Sequence, residues 1–360
     1  QVNPGGSIIT VSTTIQAAIN QAQAGDLVVV PAGSYVENLV IPVSPSFSLV
    51  GAGPELSIIS GVPGAGVPVV KFLGGSSIME GFTVTDGNTT GNWAGAGIDI
   101  RNGNPTLRNL MIRDNHGTNA GGGVYVEAGN PSLSNLVIVN NTATYRGGGI
   151  YVNTSSASLV ASNLTISGNF AGEAGAGINN RYGEVRLRNS ILWNNRHSGN
   201  NSLDEFYFFN PNYTSQTHYF KIGHSIISTG MPGGTGFVNE GNNLTADPLF
   251  ENAAGLDFSL SSGSPALDAG SAAATADFGA ITEFTGTAPD MGKQFLPTPA
   301  MQGDVLTAAN NIADADGLGT IAYQWKRGGS PIGGATGSIY TLTQADVGTV
   351  ITVTASYTDG

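Results

Sequence analysis

Short runs of alternating apolar residues recur through much of the chain, each closed by glycine or asparagine. The segments GVYVE (123–127) and SNLVIV (134–139) are one such pair, and their equivalents return in the next stretch. Alternation at a period of two predicts strands, with Val124 and Val126 turned inward and Tyr125 and Glu127 outward. One repeat later, Ile150 and Val152 take the inward part. The glycine groups Gly95-Ala96-Gly97, Gly121 to Gly123, Gly147 to Gly149 and Gly175-Ala176-Gly177 start 26, 26 and 28 residues apart. Asn109, Asn135, Asn163 and Asn189 keep step, as do Asn115, Asn141, Asn169 and Asn195. A strand-rich repeat of this length predicts a β-solenoid, in which each coil contacts only its neighbours. The register puts Ile98, Val124, Ile150 and Ile178 in one inward column. Glycine lets each coil turn tightly, and the asparagines stand at equivalent turns, where amides can hydrogen-bond from coil to coil.

The N-terminal stretch 14–41 follows a different pattern. Ile15 to Ala22 reads as a short amphipathic helix, followed by Gly25-Asp26 and a buried strand, Leu27 to Val30. This stretch resembles the entry cap of right-handed parallel β-helix proteins of the pectin-lyase-like superfamily. The Gly-Gly-Gly-Ile-Tyr and Asn-Asn-x-Ala repeats are similar to those of polymorphic outer-membrane proteins and related surface β-helices. Together these resemblances cover roughly residues 8 to 230. Further on, NNLTADPLFENAAGLDFSLSSGSPALDAG (242–270) resembles the choice-of-anchor segment that closes secreted bacterial β-helix proteins, and APDMGKQF (288–295) fits its usual end. Beyond Pro297 and Pro299 the composition shifts, and residues 303–360 resemble the immunoglobulin-like repeats of large bacterial adhesins, with Trp325 as the core tryptophan.

The expected architecture is therefore all-β: a right-handed parallel β-helix with an N-terminal helical cap, then a small immunoglobulin-like β-sandwich. The boundaries are 1–238 for the capped helix, 239–296 for the closing coils and choice-of-anchor-like segment, and 297–360 for the terminal module. That module is expected to lack its last strand. An edge left open there would allow self-association by strand addition. Residues 6–12 of a neighbouring molecule are one candidate donor, although the same segment also reads as the first strand of the β-helix.

Composition narrows the function. The 13 lysines and arginines face 25 acidic residues, a net charge of −12, which disfavours a nucleic-acid partner. There is no cysteine, hence no disulfide or thiol chemistry. No apolar run approaches the roughly 20 residues of a membrane helix. The resemblances imply a secreted or cell-surface protein, structural or adhesive, with a polysaccharide or cell-surface glycan as partner. The alternative is a polysaccharide lyase or glycoside hydrolase acting on an acidic polysaccharide, which would need a base beside acidic groups.

The outward columns supply the candidate residues. One reads Asp99, Tyr125, Tyr151, Asn179 and its neighbour Arg101, Glu127, Asn153, Arg181. Asp99, Arg101, Tyr125, Glu127 and Tyr151 form the expected glycan strip on a solvent face, with Arg101 or Arg181 the weak candidates for a catalytic base. Against these stands the plainer reading of ordinary cross-strand pairs. No lysine lies between Lys71 and Lys221, which weakens the lyase reading. Asp204 and Glu205 could be a glycosidase pair, but neighbours on a strand point to opposite faces. The four histidines, His116, His197, His218 and His224, lack metal-ligand spacing. No cofactor is expected beyond calcium, for which Asp314 and Asp316 offer a weak oxygen-ligand site.

Overall fold

The computed structural model describes residues 6–91, 94–199, 202–208, 220–231, 236–281, 284, 286–293, 305–308, 321–346 and 351–356. The chain divides into two compact units, residues 2–296 and 297–360. The first is a parallel β-solenoid. The coil that starts at Ile98 shows the plan: Ile98–Ile100, Thr106–Arg108, Met111–Arg113 and His116–Gly117 are its four strands. Each strand pairs in parallel with its equivalent one coil later, giving four ladders of ten, eight, seven and five strands among the described residues. We call the ladder through Thr106–Arg108 the first sheet, that through Met111–Arg113 the second, that through Ile98–Ile100 the third and that through His116–Gly117 the fourth.

The inward column is as the repeat register requires. Ile98 aligns with Val124, Val124 with Ile150 and Ile150 with Ile178, and all four are fully buried in one aliphatic core. The helix spans Ile15–Gln21, with the Thr14 hydroxyl accepting from Ala17 N at its start. Glu37 accepts from the backbone N–H groups of Ile15 and Gln16, donors that a helix leaves unsatisfied at its first turn. The Gln16 side chain in turn donates to Val40 O and accepts from Val40 N, occupying backbone groups on the edge strand Leu39–Ile41. Ile8–Thr10 lies in the first sheet against Leu27–Val29.

The glycine triplets and the two asparagine sets divide three physical tasks. Gly121 has φ +70°, whereas Gly122 and Gly123 are excluded from carrying side chains by close approach. A Cβ on either would lie 2.5–2.6 Å from a carbonyl oxygen of the next coil. Asn109, Asn135, Asn163 and Asn189 take left-handed backbone, φ 50–56°, which asparagine tolerates best among non-glycine residues. Asn115, Asn141, Asn169 and Asn195 build the buried amide ladder. Each of the first three donates from Nδ2 to the Oδ1 of the next, at 2.9, 3.0 and 2.8 Å. Both sets were expected to stack; the second set forms this ladder, while Asn163 and Asn189 of the first donate to Asp290 O and Ser271 O of the later segment.

Among the described residues, none beyond Leu244 pairs with the four sheets. The chain instead lies back along the solenoid flank. Phe258 packs on Val137 and Val139 of the second sheet, and Met291 and Ala266 on Ile191 and Ile226. Polar latches complete the contact. Arg188 donates to Ala273 O at 2.7 Å with its guanidinium over the Phe278 ring, Gly292 N donates to Asn189 O at 2.7 Å, and Lys221 pairs with Asp277 at 2.8 Å.

In the second unit, Ala322–Arg327 pairs antiparallel with Ile351–Ser356 and Ser330–Pro331, and Val305–Thr307 with Ile339–Thr341. Trp325 is buried, donates from Nε1 to Gly337 O at 2.9 Å and stacks on Tyr340. Asp346 accepts from Arg327, Tyr340 and Thr343, which ties the turn after Thr341 to the central strand.

Candidate functional site

The outward column read from the repeat register aligns on the third sheet, and it extends one coil further than expected. Lys71 aligns with Asp99, Asp99 with Tyr125, Tyr125 with Tyr151 and Tyr151 with Asn179. These positions point away from the core because Val70 and Phe72, Ile98 and Ile100, and their equivalents point into it. Arg101, Glu127, Asn153 and Arg181 follow two residues after Asp99, Tyr125, Tyr151 and Asn179. Arg101 pairs with Asp99 through Nε at 2.8 Å and with Glu127 through Nη1 at 2.9 Å. Its guanidinium lies 5.6 Å from the Tyr125 ring centre, and the Tyr125 and Tyr151 rings stack at 5.6 Å, only 5° from parallel. Asn153 donates to the Tyr125 hydroxyl at 2.8 Å, and Arg181 lies over the Tyr182 ring.

The expectation of an open solvent face needs correction. Asp99, Tyr125 and Tyr151 are each 0% exposed. Part of the cover is local: Ala120, just before the glycine run, packs with both tyrosines. The turns also sit close to the rings, since a Cβ on Gly121 or Gly147 would be 2.7 Å from the Cβ of Tyr125 or Tyr151. The tyrosine faces are therefore not available to a sugar ring. What stays accessible is the polar margin, with the side chains of Arg101 and Glu127 at 28% and 38% exposure.

Asp99 is the chemically distinctive member. Burial pushes its carboxyl up to about 6, against the pull of Arg101 and the more distant Lys71. Its Oδ2 meets Arg101, while its buried Oδ1 has no hydrogen-bond partner among the described residues. A carboxyl titrating in that range can hold or release a proton near neutral pH. Arg101 is engaged by two carboxylates and so remains charged, and Arg181 is held against Asn153 and Tyr182. Lys71 is the residue that sequence reasoning left out. Its strand, Val70–Phe72, precedes the first glycine triplet, so the repeat register did not reach it.

The other candidates do not converge. Glu205 is buried and hydrogen-bonds with Asn195 and Ser228, whereas Asp204 accepts from Gly175 N and Ala176 N. The two carboxylates, which precede the strand Phe206–Phe208, serve different partners. His116 is exposed on the fourth sheet, His197 sits on its last strand, and His224 bonds Asn242 at 2.9 Å. No group of three or more potential metal ligands occurs among the described residues. His218, Asp314, Asp316 and most of the 203–220 segment lie outside the described residues.

Parallel coils around a core of stacked aliphatic columns define a parallel β-solenoid. Residues 5–202 match the family described as rhamnogalacturonase A/epimerase, pectate lyase-like, and the chain belongs to that family. Among solved structures it is similar to the pectin methylesterase from Aspergillus niger, at 18% identity and TM-score 0.48 over 68% of this chain and 88% of that one. Pectin methylesterase PemA from Erwinia chrysanthemi follows at 11% and 0.44, over 69% and 91%. Pectate lyase Pel9A gives 14% and 0.41, over 80% and 96%. No curated protein matches. No described helix is long and apolar enough to cross a membrane.

Proposed function

We propose that the chain is an extracellular or cell-surface structural protein that recognises a glycan, with the solenoid as a rigid stalk. The observation that carries this reading is the ion-paired margin Asp99, Arg101 and Glu127, backed by Tyr125 and Tyr151 on a face of stacked strands. In this reading the helix Ile15–Gln21 is an entry cap, residues 239–296 are the choice-of-anchor-like segment and residues 297–360 are an immunoglobulin-like spacer. Asp314 and Asp316 would hold calcium if the spacer takes a metal. Arg101 and Glu127 meet the ligand, while Tyr125 and Tyr151 set their positions from beneath.

A second reading is supported by the family and by Asp99: a polysaccharide lyase or hydrolase in which Asp99 carries the proton. Its raised carboxyl favours such a role, which requires the cover over Asp99 to open to substrate. One experiment separates the two. The full chain is tested for binding to a panel of plant and bacterial polysaccharides while ultraviolet absorbance and reducing ends are followed. Saturable binding that Arg101→Ala and Glu127→Ala both weaken, without new products, supports recognition. Product formation lost in Asp99→Asn supports the enzyme, and no binding or product at all defeats both.

A further inference from the structure

The buried asparagine ladder ends in a residue that is not an amide. Asn115, Asn141, Asn169 and Asn195 pass hydrogen bonds from coil to coil, and Glu205 stands where a further rung belongs. Asn195 donates to Glu205 from Nδ2 and, at 3.4 Å, from its backbone N. Ser228 Oγ is its third partner. Glu205 is 1% exposed. Each asparagine rung both donates and accepts, whereas an ionised glutamate can only accept.

The surroundings do not neutralise that charge. Among the described residues no cation pairs with Glu205, and the charged group that acts on it is the neighbouring Asp204, which repels it. Of the basic side chains on the adjacent strand, Arg196 bonds Asn194 at 2.9 Å and His197 lies beside Asp204. Ser228, after the strand Ile226–Ile227, is neutral, as are the asparagine rungs beneath. An ion in such a place is costly, whereas the neutral acid carries no charge and its hydroxyl has the Ser228 oxygen within reach as an acceptor.

We propose that Glu205 is a protonation-dependent rung: as the neutral acid it closes the ladder, and as the carboxylate it loosens the last coil of the third sheet. Burial raises its carboxyl to about 7, with the donors from Asn195 and Ser228 opposing the rise. The sign follows from linkage. The folded state holds the proton more tightly than the unfolded state, so the stabilisation is complete in acid and is lost as pH climbs through the folded value. The affected coil is identified by its bonds. Gly177 N donates to Asp204 O and Ile178 N to Glu205 O, and Phe206–Phe208 pairs with Ile178–Asn180.

The test is amide hydrogen exchange on the full chain between pH 5 and 8, corrected for the intrinsic rate. The opening constants at Gly177 and Ile178 should rise with pH, by roughly ten- to a hundredfold for a shift of this size. Amides of the inward column at Val124 report the rest of the solenoid, including any effect of Asp99. Glu205→Gln should flatten the local pH dependence and give low opening constants at pH 8. Ser228→Ala, which removes a donor to the carboxylate, should move the midpoint to higher pH and decides the matter if the glutamine variant does not fold. A wild-type profile flat from pH 5 to 8, an unchanged profile in Glu205→Gln, or a midpoint unmoved in Ser228→Ala each overturns the proposal.

Discussion

The second and third sheets carry the same inner columns but opposite solutions to their outer faces. Outside the second sheet the chain places Met111, Val137, Val139 and Ile191, and buries them under Phe250, Phe258 and Met291 of its own later segment. Outside the third sheet it places Asp99, Arg101, Tyr125, Glu127 and Tyr151, joined by two ion pairs and a ring stack. The difference shows that a solenoid repeat specifies its interior and leaves its exterior free. The covered flank is a structural seam, and the paired flank keeps charged groups at its margin.

Breaking the shared interior should have the largest effect. Val124→Asp puts an unpaired carboxylate into the inward column, where desolvation costs several kcal/mol with no partner to offset it. Soluble folded protein should be lost, as judged by far-ultraviolet circular dichroism. A native spectrum with an unchanged midpoint would show that the column is not sealed.

Phe258→Ala tests the seam alone. The ring is 4% exposed against Val137 and Val139, so truncation should cost about 3 kcal/mol. Limited proteolysis should then cut within 250–293 while the solenoid persists as a fragment. Equal protease resistance in variant and parent would mean that Phe258 is not the main contact.

Asp99→Asn sharpens the other side of the comparison. With its carboxyl raised to about 6 from 3.8, the folded state binds the proton more tightly. Its stabilisation is therefore present below about pH 4 and declines as pH rises to about 6. The asparagine variant should lack this decline and gain about 2–3 kcal/mol at pH 7 relative to its difference at pH 4. Urea midpoints at the two pH values measure it. A gain of the same size at both pH values would place the charge elsewhere.

The contrast also explains what could be read from the residues in advance. Ile98, Val124, Ile150 and Ile178 were legible because burial on one side forces a strict period of two within each strand and a fixed step between coils. The ordering of Asp99, Tyr125 and Tyr151 followed from the same register. Their burial did not, because an outward alternation does not say whether something lies over it. Phe250 and Phe258 sit in a segment whose turns look like further winding, and only the tertiary contact with Val137 and Val139 reveals a return along the flank. Equal spacing likewise hid the division between the asparagine sets. Asn135 is required by its backbone angle and Asn141 by its amide bonds, and the two requirements produce the same periodicity.

The smallest effect belongs to the exposed margin. Glu127→Gln removes one of the two carboxylates on Arg101 but leaves the buried Asp99 contact in place. Both side chains of the lost pair are partly open to water, where such pairs contribute about 0.2–1 kcal/mol and weaken with salt. The stability difference should therefore be below 1 kcal/mol at low ionic strength and close to zero in about 1 M salt, where screening is nearly complete. Glycan affinity, if Arg101 and Glu127 form the recognition margin, should fall far more than stability does. A variant that loses several kcal/mol of stability would show that Glu127 holds the outer face together, and would move the third sheet toward the same structural role as the second.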